Sequence, residues 1–118
     1  MVYLDNAATT KPFPEVVALM QELSSEFYGN PSSTHAIGRK ARSVLEQARK
    51  DIAQLIGAQS TEIIFTSGGT EANNIFLQGM APEVEHIIAS PLEHPAVLKT
   101  LKHLEKRGQD ISWLNINS

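Results

Sequence analysis

Ile63-Ile64-Phe65-Thr66-Ser67-Gly68-Gly69-Thr70-Glu71-Ala72-Asn73-Asn74 joins apolar, strand-forming residues to a Gly-Gly turn and then to a helical run. Strand, tight turn and helix in that order form the junction from which α/β domains are built. The turn also brings together groups with a common chemistry. Its two glycines let the backbone approach an oxyanion closely, Ser67 and Thr70 offer hydroxyl donors, and the helix start supplies unpaired N–H groups at the positive end of its dipole. The stretch therefore predicts a phosphorylated small-molecule ligand. It matches neither Gly-x-x-x-x-Gly-Lys-Ser/Thr nor Gly-x-Gly-x-x-Gly, so a P-loop and a dinucleotide fingerprint both fail on spacing. The same residues also describe an ordinary strand-to-helix turn with Thr70 as the helix cap. On this stretch alone the two readings stand side by side.

Working outward, Glu62 to Thr66, His86 to Ser90 and Ile111 to Ile116 are short and rich in β-branched or aromatic residues, and read as three strands. Helical patterns at Glu71 to Gln78 and Pro95 to Lys106 fall between them, which predicts an α/β domain with a mainly parallel sheet. Upstream, Val16, Val17, Leu19, Met20 and Leu23 recur at helical spacing behind Pro14, placing a helix that ends near Glu26. Ala41, Val44, Leu45, Ala48, Ile52, Leu55 and Ile56 form one stripe between Ala36 and Gly57, with Gly57 placed to stop the helix. Phe27 to Thr34, with its Gly, Asn, Pro and Ser, is a loop. The expected organisation is one segment over 1–118, an extended arm over 1–14 and an α/β part over 15–118, with no repeat or linker dividing it. Parallel sheets average about five or six strands and are covered on both faces, so three strands predict an incomplete sheet.

Composition narrows the classes. The 118 residues are 42% hydrophobic and 19% charged, ordinary values for a globular domain. Ten Lys and Arg against thirteen Asp and Glu give a net charge of −3, which argues against nucleic-acid binding. Arg39, Lys40, Arg42, Arg49 and Lys50 are interrupted by Glu46 and Asp51 and read as a helix's solvated face. No apolar run approaches the roughly 20 residues of a membrane span, and the first residues lack a signal-peptide pattern, so the expected location is the cytoplasm. Cysteine is absent, which removes disulfides, thiolate metal sites and a cysteine nucleophile from this chain.

A second strand-to-helix junction, Ala89-Ser90-Pro91-Leu92-Glu93-His94-Pro95, should open on the same carboxyl edge of the sheet as the Gly-Gly turn. An imidazole at His94 would there stack on a flat ring or move protons near neutral pH; a surface histidine at a helix start is the simpler reading. His35, His86 and His103 show no i, i+4 pairing with one another or with His94, so no metal site is expected.

Taken in order, Tyr3-Leu4-Asp5-Asn6-Ala7-Ala8-Thr9-Thr10, Gly29-Asn30-Pro31-Ser32-Ser33, Thr66-Ser67-Gly68-Gly69-Thr70-Glu71-Ala72-Asn73-Asn74 and Glu93-His94 resemble the successive N-terminal motifs of cysteine desulfurases. The Gly-Asn-Pro-Ser-Ser and Thr-Ser-Gly-Gly-Thr-Glu forms resemble the nitrogen-fixation and iron–sulfur-assembly branch of these class V aminotransferase-like enzymes. The resemblance implies part of the large domain of a fold-type I, aspartate-aminotransferase-like transferase that uses pyridoxal 5'-phosphate. Gly69 and Thr70 would then bind the cofactor phosphate, His94 would stack on the cofactor ring and assist proton transfer as a catalytic residue, and Asn30 with the Ala7 to Thr10 arm would lie on the substrate side.

In that family L-cysteine becomes L-alanine and an enzyme persulfide that feeds iron–sulfur cluster assembly. The implied partners are the L-cysteine substrate, a second copy or the remainder of the same enzyme, and an iron–sulfur scaffold protein. The family's cofactor-bound lysine, its ring-nitrogen aspartate, its persulfide cysteine and its carboxylate-binding arginine have no counterpart in these residues, and are expected beyond Ser118. The expected function is therefore that of a desulfurase N-terminal portion. A non-catalytic phosphate-binding module and a structural or oligomerisation fragment are the alternatives.

Overall fold

Helix formation in the first half follows the proline and glycine punctuation. The computed structural model describes residues 2–116; Met1, Asn117 and Ser118, which the expected 1–118 segment includes, lie outside the described residues. Two compact units emerge, Met1–Ile63 and Ile64–Ser118.

In the first unit the arm is exposed and interrupted by a turn, in which the Asp5 carbonyl accepts from the N–H groups of Ala8 at 3.1 Å and Thr9 at 3.3 Å. Helix α1, Pro14–Glu26, begins with Pro14 where its missing N–H costs nothing. Helix α2, Ala36–Ile56, starts at His35, whose Nδ1 accepts from the Gly38 N–H at 3.2 Å. It stops at Gly57, held at φ 70° in the left-handed region that favours glycine. Gly38 answers a different demand. A Cβ there would sit 2.6 Å from the Ser33 carbonyl oxygen and 2.7 Å from that of Asn30, so the Asn30 to Ser33 loop lies directly on the first turn of α2. Most of the basic side chains of α2 are exposed, as a solvated face requires.

Glu62 closes a short 3-10 turn, Ser60–Glu62, and residues 63–66 form no strand. The expected strand from Glu62 to Thr66 is thus absent. A strand exists only with a partner for its backbone groups. The sheet of the described residues holds only the strands at His86–Ala89 and Asp110–Trp113, and the Ile63 carbonyl accepts from the Arg49 guanidinium.

The second unit carries the sheet. After helix α3, Gly69–Met80, and a 3-10 turn, Ala81–Glu83, the chain runs through strand β1, His86–Ala89, helix α4, Pro95–Lys106, and strand β2, Asp110–Trp113. The strands are parallel, with His86 opposite Asp110 and Ala89 opposite Trp113. Ala81, Ala89, Leu101 and Leu104 form the core, flanked by Leu77, Ile87, Val97, Ile111 and Trp113. Leu101, 1% exposed, is at its centre. At the rim the Trp113 Nε1–H donates to Glu105 at 3.0 Å, giving the indole's one polar atom a partner. Gly108, at φ 98°, makes the turn from α4 into β2.

Candidate functional site

The three predicted ligand-facing residues of the second unit, Gly69, Thr70 and His94, sit at helix starts for sequence-local reasons. Gly68 is the N-cap of α3 and provides no side-chain cap, Gly69 and Thr70 are its first two residues, and their N–H groups have no intrahelical acceptor. Thr70 is therefore not the helix cap, and its hydroxyl is not committed to that task. The turn is tied instead by Glu71, whose carboxylate accepts from the Ser67 N–H at 2.6 Å. That hydrogen bond, with a further one from the Ser67 side chain, holds the Glu71 carboxyl below its ordinary value.

Neither glycine at this turn is required by the protein's own packing. A Cβ on Gly68 or Gly69 would meet nothing within 4 Å, and neither residue lies in the left-handed region. Two adjacent glycines with open space beside them, at a helix start with free N–H groups, make a cradle that side chains would fill. A phosphate fits that donor set.

His94 is the N-cap of α4: its Nδ1 accepts from the Ala96 N–H at 3.1 Å, and Pro95 takes the first helical position. With Nδ1 accepting, the neutral ring carries its proton on Nε2. The loop before it is turned by Ser90, whose Oγ accepts from the Leu92 N–H at 3.1 Å.

Thr70 and His94 line one cavity of about 540 Å³, with Asn74 and Gln78 from α3 and Lys99 and Thr100 from α4. This is within the size range of small-molecule and cofactor sites, about 300–1,000 Å³. The starts of α3 and α4 thus converge on shared space, although no strand precedes α3 among the described residues.

Asn30 lies in the first unit, exposed, with its Oδ1 accepting from the Ser32 N–H at 2.9 Å in an Asx turn. Among the other histidines, His35 caps α2 and His86 Nε2 pairs with the Ser112 hydroxyl at 2.9 Å across the sheet. Sequence reading passed over Asn74 and Thr100, which join α3 to α4 by a 2.8 Å hydrogen bond. The available signal was a polar residue within the apolar stripe of α4, since Thr100 is only 6% exposed.

Comparison with known proteins gives these features a context. The Aminotransferase class-V family model matches residues 2–118. Cysteine desulfurase 2 of Trichormus variabilis is 45% identical over 121 residues, covering 100% of this chain and 30% of the relative. Cysteine desulfurase IscS of Dictyoglomus turgidum is 49% identical over 120 residues, covering 98% of this chain and 30% of its own. Among solved structures, a NifS-like protein superposes with a TM-score of 0.85 at 36% identity over 98% of this chain and 33% of that one. SspA in complex with cysteine gives 0.85 at 39% identity, over 95% of this chain and 33% of its own. The chain therefore spans about 30% of the length of the curated relatives it matches. Its helices and parallel strand pair are those of the fold-type I enzymes that use pyridoxal phosphate, and the chain belongs to the class-V aminotransferase family.

Proposed function

We propose that this chain is the N-terminal portion of a pyridoxal-phosphate-dependent cysteine desulfurase and supplies part of its cofactor pocket. The observation that carries the reading is the single cavity lined by Thr70 and His94, at helix starts whose donors and open glycines suit a phosphate. The cysteine desulfurase names of the relatives and the cysteine bound to SspA support L-cysteine as the substrate class.

When bound, pyridoxal phosphate supplies an electron sink for bond cleavage in an amino acid. This chain's residues supply its surroundings. The N–H groups of Gly69 and Thr70, with the Thr70 hydroxyl, would hold the phosphate against the α3 dipole. His94 would stack on the ring, with Nδ1 anchored by Ala96 and Nε2 left to hold or release a proton. Asn30, in its Asx turn, would serve the substrate side. The sulfur-accepting cysteine is not among these 118 residues, which contain none. The reaction therefore needs further polypeptide, a second copy is the expected partner in forming the pocket, and an iron–sulfur scaffold protein is the expected sulfur acceptor. No helix among the described residues is long and apolar enough to cross a membrane.

The test is a titration of the chain with pyridoxal 5'-phosphate, inorganic phosphate and AMP, read at the amide signals of Gly69 and Thr70. The first two should shift those signals, and pyridoxal 5'-phosphate alone should also move the His94 ring. Gly69→Ala should weaken binding about tenfold or more while leaving stability unchanged or raised by about 0.5–1 kcal/mol, since alanine suits a helix better and its methyl meets only open space. Preference for AMP, or release of alanine from cysteine by the chain alone, would overturn the reading.

A further inference from the structure

Polar contacts in the second unit lead from Thr70 to His94 through the Thr100 hydroxyl, whose single proton faces two acceptor oxygens. The Asn74 side-chain amide donates from Nδ2 to the Thr70 carbonyl oxygen at 2.8 Å. Asn74 Oδ1 accepts from the Thr100 hydroxyl at 2.8 Å, and the same hydroxyl lies 2.9 Å from the Ala96 carbonyl oxygen. The Ala96 N–H in turn donates to His94 Nδ1 at 3.1 Å. Gln78 Nε2 adds a second donor to Asn74 Oδ1 at 3.3 Å. Thr100 is 6% exposed, so its hydroxyl has given up water for these partners.

We propose that Asn74 and Thr100 are positioning residues that fix the spacing and relative orientation of the Thr70 turn and the His94 imidazole. What that spacing serves rests on the cofactor-pocket reading above. The physical ground is direction. The apolar contacts between α3 and α4 are non-directional and tolerate sliding, and a slip of one helical turn would displace Thr70 by about 5.4 Å along its axis. A hydrogen bond weakens steeply when its angle or length departs from the optimum, so the Asn74–Thr100 bond selects one register out of those that packing allows. Asn74 ties that bond to the carbonyl of Thr70 itself, and Thr100 ties it to the first turn of α4, where His94 is the cap. A valine at position 100 would keep the shape and lose this selection.

The experiment uses the full chain, at a concentration where it sediments as a monomer, as wild type, Thr100→Val, Thr100→Ser and Asn74→Ala. Amide residual dipolar couplings report the mutual orientation of α3 and α4, and the His94 ring nitrogen signals report whether Nδ1 still accepts. Wild type and Thr100→Ser should fit a single alignment for both helices and keep the Nδ1 acceptor signal. Thr100→Val and Asn74→Ala should lose the joint fit while circular dichroism retains the helix content. Joint fits and unchanged His94 signals in both would overturn the proposal. Should Thr100→Val unfold, Asn74→Ala at its half-buried site decides alone. Titration with inorganic phosphate at the Gly69 and Thr70 amides addresses the pocket separately. No shift in wild type sinks the cofactor-pocket reading, and the couplings still decide whether these two residues set the register.

Discussion

Glu71 shows how one side chain can organise the turn that opens its own helix. Its carboxylate accepts from the Ser67 N–H at 2.6 Å, three residues into the helix, and so ties the residue before the Gly68 cap to the first turn of α3. The sequence offers the Ser67 hydroxyl as a donor to a phosphate; in the structure Ser67 is turned toward Glu71 through its backbone N–H. The hydrogen bonds from Ser67, backbone first and hydroxyl second, favour the charged carboxylate and lower its pKa from 4.5. A carboxyl depressed in the folded state contributes stability above its unfolded pKa and loses it as pH falls through the folded value, so the turn should loosen only below 4.5. The Ser67 amide signal should accordingly titrate with a midpoint under 4.5, and Glu71→Gln should abolish that titration while keeping an acceptor for the N–H. A midpoint at or above the ordinary value would show that the bond is not formed in solution.

At the scale of elements, one side chain holds the β1-α4-β2 unit together. Leu101 is 1% exposed and lies in the cluster with Ala81, Ala89 and Leu104. Leu101→Ala should destabilise the chain by about 2–5 kcal/mol, read as a lower urea midpoint with little change in slope. A loss well under about 1 kcal/mol would mean that this core collapses to fill the space, or was never well packed. The elements best read from sequence are those whose stop and start signals are local. Pro14, Gly57 and Pro95 mark their helix boundaries, and the helix from Pro95 to Lys106 forms with those limits. The strands at His86 and Asp110 form because each finds the other. Ile63 to Thr66 carries an equally strong strand composition and forms none, since pairing is a property of two segments and composition reports only one. The site divides along the same line. The placing of Gly69, Thr70 and His94 at helix starts is legible because helix starts carry local signatures. The Asn74–Thr100 bond spans 26 positions, and no periodicity reveals it.

For the whole molecule, the unusual quantity is the apolar surface without cover. Helix α1 buries no residue, and Val16, Val17, Leu19 and Met20 are 45%, 49%, 53% and 61% exposed along it. In the second unit, Ile64, Ile75, Phe76 and Met80 line a groove of about 340 Å³ with their side chains 66%, 44%, 64% and 42% exposed. Scattered single residues of this kind are normal on a protein surface, whereas contiguous patches mark surfaces that other polypeptide covers. The helical spacing of the α1 residues is that of a face meant to be buried. Relatives more than 40% identical carry a further length of chain, and the exposed face is where such chain, or a second copy, would gain most by packing. Alone, the molecule should therefore self-associate: its weight-average mass in sedimentation should rise with concentration, and a hydrophobic dye should light up on the folded form. Met20→Glu, which places a charge in the middle of the α1 face, should lower that association about tenfold or more, the worth of about 1.4 kcal/mol of contact. It should leave the urea midpoint of the second unit where it was, because Met20 lies in the first. A chain that stays monomeric and dark to the dye at high concentration would mean that the α1 stripe finds cover within the same molecule. Association unchanged by Met20→Glu would move the sticking surface to the Phe76 groove, where Phe76→Glu repeats the test.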